Sequence, residues 1–251
     1  MKKYQIYQLN KIKIIGGDLF FINNKGLYSS RNNIKKAKSK KNDLLDAHQI
    51  NKTNYKFSPS MKIGEGAYCK VFYGINKKTN QECAVKFFNN GKSIIAKFMM
   101  EKSILTNLKG ILDFPSLYYS SLKNLVIVES LHGPNLKDLF EFCDKKFPLR
   151  TFCLIGIEMI NRIQEFHSKG LVHRDIKPSN FAWGRFTGNC NELKDHILLI
   201  DYDLSGIFQT KQGSHILFQK DSKIVGNLPY KSINGCNFIS QTRRDDIESI
   251  I

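Results

Sequence analysis

Four side chains stand at spacings that could handle a phosphoryl group. His173-Arg-Asp-Ile-Lys-Pro-Ser-Asn180 carries Asp175, Lys177 and Asn180 on one short stretch, and Asp201 follows 21 residues after Asn180, behind the apolar run Ile197-Leu-Leu-Ile200. Asp175 can accept a hydroxyl proton, and Lys177 can neutralise charge on a transferring group. Asn180 and Asp201 offer the hard oxygen atoms that magnesium prefers. A polar loop with a few salt bridges is the bland alternative. A lone His-Arg-Asp would deserve it, but the added lysine, amide and strand-borne carboxylate argue for the chemistry.

Such a cluster needs elements that bring phosphate to it and hold it still. Lys62-Ile-Gly-Glu-Gly-Ala-Tyr-Cys-Lys-Val71 reads as a glycine-paired turn between strands, with Gly64 and Gly66 letting backbone amides approach phosphate oxygens. Alone, a plain hairpin is the stronger reading. Lys86 shifts the weighting, because it stands in the strand Cys83-Ala-Val-Lys-Phe-Phe88, 20 residues after Gly66. A half-buried ammonium needs an anion, and Glu101 is the candidate, on a helix expected over Ser93 to Leu108. An exposed ion pair worth under about 1 kcal/mol is the alternative for Lys86 and Glu101.

Further along, Asn124 to Val128 reads as a strand and Glu129 to Gly133 as a connector. Asn135 is placed to cap a helix over Leu136 to Phe142. A longer helix is expected from Thr151 to Ser168, with Phe152, Ile155, Met159, Ile163 and Phe166 as its apolar stripe and Gly170 as its stop.

Composition narrows the class. With 251 residues, 41% apolar, the chain can bury a large core. The net charge of +17 is uneven: residues 1–57 hold 13 Lys/Arg against 3 Asp/Glu, while residues 58–251 hold 26 against 19. Ile12 to Ile22 has apolar content for a strand or two, interrupted by Gly16-Gly17, and Arg31 to Lys41 carries six basic residues. A solvated, disordered leader over 1–54 is the expectation, in preference to a nucleic-acid arm, since few aromatics are interleaved for stacking. The six cysteines, at 69, 83, 143, 153, 190 and 236, form no Cys-x-x-Cys pair, so reduced thiols and a cytoplasmic or nuclear location are expected, without zinc. No apolar run reaches the ~20 residues of a membrane helix.

From about Tyr55 to Ile251 the chain resembles a eukaryotic-type protein kinase and, within that superfamily, the casein kinase I family. The narrower likeness rests on Leu131-His-Gly-Pro-Asn-Leu-Lys-Asp-Leu-Phe140, on His167 to Phe181, on Ser232-Ile-Asn234 in place of Ala-Pro-Glu, and on Arg243-Arg-Asp-Asp-Ile-Glu-Ser249. The resemblance implies an α+β, bilobal fold: a small antiparallel β lobe with one helix (55–128), a hinge (129–133), and a mainly helical lobe (134–251) cut at its C-terminus. It implies ATP with magnesium, or manganese in its place, and transfer to Ser or Thr of protein substrates. Ile63, Gly64, Glu65, Gly66, Val71, Ala84, Lys86 and Glu101 would then bind ATP. Asp175, Lys177 and Asn180 would be catalytic, with Asn180 and Asp201 on the metal. Acidic substrates and a monomeric state are the accompanying expectations.

The departures from that family are specific. Asp201-Tyr-Asp203 replaces Asp-Phe-Gly, so a side chain stands where a glycine is expected, strained by about 1–2 kcal/mol if φ is positive there. Cys69 replaces the third glycine of the turn, where its side chain could crowd phosphates and its thiol could be an oxidation target. In Val225-Gly-Asn-Leu-Pro-Tyr230, Pro229 occupies the place of an arginine that would bind a phosphorylated substrate. The sequence stops inside the helix begun by Asp245 and Asp246, which suggests a fragment or a truncated relative; Asp246 matches the buried aspartate that braces the catalytic loop in the family. The rival reading is a pseudokinase that holds nucleotide and transfers poorly. A nucleic-acid binder acting through residues 1–57 ranks last.

Overall fold

The computed structural model describes residues 12–15, 18–23, 26–29, 35–36, 50, 53–184, 197–210, 212–217, 220 and 225–250. Cys190, Ser222, Ile251 and most of the basic run lie outside the described residues. The chain divides into two compact units, residues 29–132 and residues 1–28 with 133–251.

The first unit is a six-stranded antiparallel sheet with one helix. In chain order its strands are β4 (Lys35–Lys36), β5 (Tyr55–Glu65), β6 (Cys69–Asn76), β7 (Glu82–Phe88), β8 (Leu117–Ser121) and β9 (Val126–Ser130), arranged β4-β5-β6-β7-β9-β8. β1 (Ile12–Ile15), β2 (Asp18–Asn23) and β3 (Gly26–Ser29) form a separate three-stranded sheet, with Gly16-Gly17 between the first two. Within the larger sheet β7 is buried on both faces, as its near-continuous apolar run requires. One face packs Phe57, Phe72 and Phe87, ring centroids 4.9 to 6.0 Å apart, together with Val85, Val126 and Val128. On the same core, burial with Glu82 alongside pushes the Cys83 thiol up to about 12, so it remains an inert SH group. Helix α1 (Lys92–Asn107) packs Phe98 edge-on against Phe88 at 5.5 Å.

In the second unit, α2 (Leu136–Phe142) starts as its cap predicts, with Asn135 Oδ1 accepting the Asp138 amide at 2.9 Å. α3 (Leu149–Ser168) begins two residues earlier than expected, behind Pro148, and ends before Gly170, whose φ of +75° is the left-handed stop. Its buried stripe is Thr151, Ile155, Met159, Ile163 and Phe166. The expected Phe152 is 65% exposed, because Thr151 takes the inward position of the first turn. The remaining elements are β10 (Leu171–Val172), β11 (Phe181–Trp183), β12 (Ile197–Leu199), β13 (Gly206–Ile207), α4 (Ile233–Cys236) and α5 (Arg243–Glu248). β10 pairs with β13 and β11 with β12, both antiparallel. No helix among the described residues is long and apolar enough to cross a membrane.

Candidate active site

In the sheet unit, strand register gathers the expected phosphate-binding residues. Gly64 on β5 lies opposite Val71 on β6, Val71 opposite Lys86 on β7, and Lys86 opposite Ile127 on β9, one cross-strand row. Ile63 and Glu65 flank Gly64 on β5, and Ala84 precedes Lys86 by two residues, on the same face of β7. Neither Gly64 nor Gly66 is required by packing: a Cβ would stand 3.5 Å from Val71 and 3.7 Å from the Cys69 sulfur, ordinary contacts. Cys69 opens β6 as a half-buried cysteine whose sulfur faces Gly66 of that turn.

Lys86 Nζ donates to both oxygens of Glu101, at 2.8 and 2.9 Å. The side chains are 6% and 2% exposed, so this is not the exposed pair considered as the alternative. Two ions taken out of water together hold each other charged, and removal of either strands the other at a cost of about 3–5 kcal/mol.

In the helical unit the loop after β10 is built around Asp175, which is 6% exposed. Lys177 Nζ donates to Asp175 Oδ2 at 2.5 Å, and Asn180 Nδ2 donates to its backbone oxygen at 2.8 Å and to Oδ2 at 3.1 Å. Asp201 joins this group through a hairpin. Phe181 pairs with Leu199, and the Ile200 amide donates to the Asn180 carbonyl at 2.9 Å, which puts Asn180 and Asp201 at the same end of β11 and β12 although they are 21 residues apart in sequence. A carboxylate and a carboxamide oxygen at one hairpin end fit a divalent cation, which takes few protein ligands when phosphates supply the rest.

The loop's irregular backbone is held from below. Arg174 has φ +65° and Asp201 φ +68°, both in the left-handed region. Asp246, 1% exposed on α5, accepts the backbone amides of His173 and Arg174, each at 2.8 Å, and lies 2.8 Å from His167 Nε2. The Arg174 guanidinium donates to the carbonyls of Leu204 and Ser205, at 2.8 and 3.0 Å. Tyr202 is 1% exposed; its ring stacks on Phe166 and meets His173 edge-on, and its hydroxyl donates to the Leu199 carbonyl at 2.5 Å.

The expected strain at Asp203 is not there. Asp203 has no positive φ; it occupies a turn closed by the Ser205 amide on the Tyr202 carbonyl at 3.1 Å, and the left-handed residue is Asp201 itself. Aspartate is among the residues that adopt either conformation readily.

Three features went unread in the sequence. Asp245, fully buried beside Asp246, accepts Ser232 Oγ at 2.8 Å, Asn234 Nδ2 at 3.0 Å and the Thr242 amide at 2.7 Å. Burial would raise its carboxyl, but these hydrogen bonds, with the Arg244 charge, hold it below the usual carboxylate range. Gly226, φ +90°, lies so close to the loop after β10 that a Cβ would fall 2.4 Å from the Arg174 carbonyl oxygen and 3.7 Å from Asp175 Oδ1. The third is the Tyr202 hydroxyl. A signal for Asp245 existed: Ser232 and Asn234 are the polar positions of the Ser-Ile-Asn triplet, and two adjacent carboxylates follow.

The family model of the protein kinase domain matches residues 57–232. The chain belongs to the protein kinase domain family. Membership implies ATP, a divalent metal and protein substrates, and the α+β fold described above is the kinase architecture. The matched span takes in both groups of candidate residues: the Gly64 to Glu101 set on the sheet unit and the Asp175 to Asp201 set on the helical unit.

Proposed function

We propose that this kinase transfers the ATP γ-phosphoryl group to Ser or Thr hydroxyls of acidic proteins, in the manner of the casein kinase I family. The observation that carries the proposal is the Asp175 carboxylate held between the Lys177 ammonium and the Asn180 amide. A carboxylate oriented by two donors is placed to align a hydroxyl and take its proton, and Lys177 stands beside it to neutralise charge on the group in transit. Lys86, fixed by Glu101, would anchor the nucleotide phosphates, with Ile63, Gly64, Glu65, Gly66, Val71 and Ala84 around the nucleotide. Among the described residues nothing crowds a Cβ at 64 or 66, and the missing side chains leave room beside the turn for a ligand, which supports this. Asn180 and Asp201 would hold magnesium, whose charge compensates the phosphate oxygens. Phosphoryl transfer asks for positioning more than for covalent participation of side chains, and a buried, multiply tethered loop supplies it.

The narrower, casein kinase I reading is supported by Ser232 and Asn234 meeting Asp245, a use for the Ser-Ile-Asn triplet. Pro229, exposed in the 3-10 turn Leu228–Tyr230, offers no cation, so the acidic preference is assigned to general basic charge and not to a phosphate-reading arginine. Asp175→Asn should lower transfer to an acidic protein substrate by a factor of about 10³ or more while leaving nucleotide affinity within about twofold. Parallel loss of binding would make Asp175 structural. If wild-type protein with magnesium or manganese shows no more transfer than Asp201→Ala, the pseudokinase reading replaces this one.

A further inference from the structure

The turn between β5 and β6 is not an unsupported hairpin end. Tyr68, at its tip, is 38% exposed and has its ring under the Lys97 ammonium, 4.1 Å from the centroid. Beneath the ring the main chain is tied as well: the Asn89 amide donates to the Tyr68 carbonyl at 2.8 Å, and Asn89 Nδ2 donates to the Ala67 carbonyl at 3.3 Å. The Gly66 amide closes the turn on the Cys69 carbonyl at 2.9 Å. Asn89 directly follows β7, the strand that carries Lys86, and Lys97 belongs to α1.

Lys97 and Glu101 are four residues apart on α1, which places them one turn apart on the same side of the helix. One helix therefore makes two contacts with the nucleotide-binding elements. Glu101 fixes the lysine that anchors phosphates, and Lys97 grips the tip of the turn that covers them. An ammonium within about 6 Å of an aromatic ring centroid is attracted by the ring's negative face, and the contact needs no deep burial.

We propose that Lys97 is a positioning residue that acts through Tyr68 to hold the glycine turn closed, so that α1 couples the cover of the phosphates to their anchor. This rests on the reading of the turn as a nucleotide site. A displacement of α1 then loosens Lys86 and releases the turn together, and nucleotide leaves a site that has lost both. Lys97 does not touch the phosphates; its effect passes through the aromatic ring.

Two measurements on the full chain test this: hydrogen exchange of the Gly66 and Asn89 amides without nucleotide, and release of a fluorescent ADP analogue. Lys97→Gln and Tyr68→Leu should each speed exchange and release about two- to fivefold, the range expected of one cation–π contact. Tyr68→Phe keeps the ring face and should keep the slow exchange. Combining Lys97→Gln with Tyr68→Leu should do no more than either alone, since both break one contact. Multiplicative effects in the double variant overturn the proposal. So does Tyr68→Leu with unchanged exchange and release while Lys97→Gln speeds release, which would make Lys97 a direct phosphate ligand. Lys86→Met is the separate control: undiminished binding of the analogue in that variant rejects the nucleotide site itself, whereas the exchange rates in nucleotide-free protein still report whether Lys97 and Tyr68 hold the turn.

Discussion

Apart from the Lys177–Asp175 pair, the two units keep their buried charges by different means. In the sheet unit a cation meets an anion: Lys86 on β7 and Glu101 on α1 neutralise each other across regular elements. In the helical unit Asp245 and Asp246, adjacent on α5, face mainly neutral donors, among them the amides of His173, Arg174 and Thr242, the Ser232 hydroxyl and the Asn234 amide. The difference follows from the backbone being served. A strand and a helix satisfy their own peptide groups and need only the side chains matched. The loop after β10, with Arg174 in the left-handed region, leaves amides without ladder partners, and a carboxylate that accepts two of them is the compact remedy.

The contrast breaks most visibly at Asp246. Asp246→Ala leaves the His173 and Arg174 amides buried without an acceptor and should cost about 3–5 kcal/mol in urea denaturation, with transfer activity lost even where the protein still folds. A loss below about 1 kcal/mol would show that water replaces the carboxylate and that the brace is not mechanical.

The sheet unit should respond differently to single and paired changes. Glu101→Gln is expected to cost about 3 kcal/mol by stranding the Lys86 charge, whereas Lys86→Met combined with Glu101→Leu should return most of that stability and none of the nucleotide binding. Stability that fails to recover in the pair would mean that the ion pair holds the sheet and helix together by more than charge balance.

Asp245 sharpens the comparison at a smaller scale. Its folded-state carboxyl lies below the ordinary value of 3.8, so its contribution is complete above that value and is lost as pH falls through the lowered folded-state value. Asp245→Asn should therefore cost about 1–2 kcal/mol at neutral pH and flatten the acid limb of stability below about pH 4. An acid limb that keeps its shape in the variant would place the sensitivity on other carboxylates.

What the sequence made readable follows the same division. The partnership of Lys86 with Glu101 could be named in advance because a strand and a helix have fixed periods, so spacing alone orients the side chains. The start of α2 at Leu136 follows from its Asn135 cap. β8 escaped notice because all five residues of Leu117 to Ser121 are of intermediate burial, with no alternation to detect. Phe152 was misplaced because a bulky apolar residue outweighs a threonine in any pattern, although Thr151 was the one turned inward. The strain assigned to Asp203 belonged to Asp201, since residue type limits φ but does not state it. Asp245 shows the remaining limit: Thr242 stands at the capping-box spacing of its own helix, but Asn234 and Ser232 lie 11 and 13 positions before it, in a different element, where no single helical or strand period aligns them.

Gly226 gives the helical unit a stiffness that side chains could not. At its contact with Arg174, peptide rests on peptide with no interposed atoms to swing aside. Rotamers absorb small displacements elsewhere in a packed interior, but main chain pressed on main chain transmits them whole. A displacement of the stretch 227–231 would therefore reach Arg174 and Asp175 through main chain alone, as a push rod moves a valve.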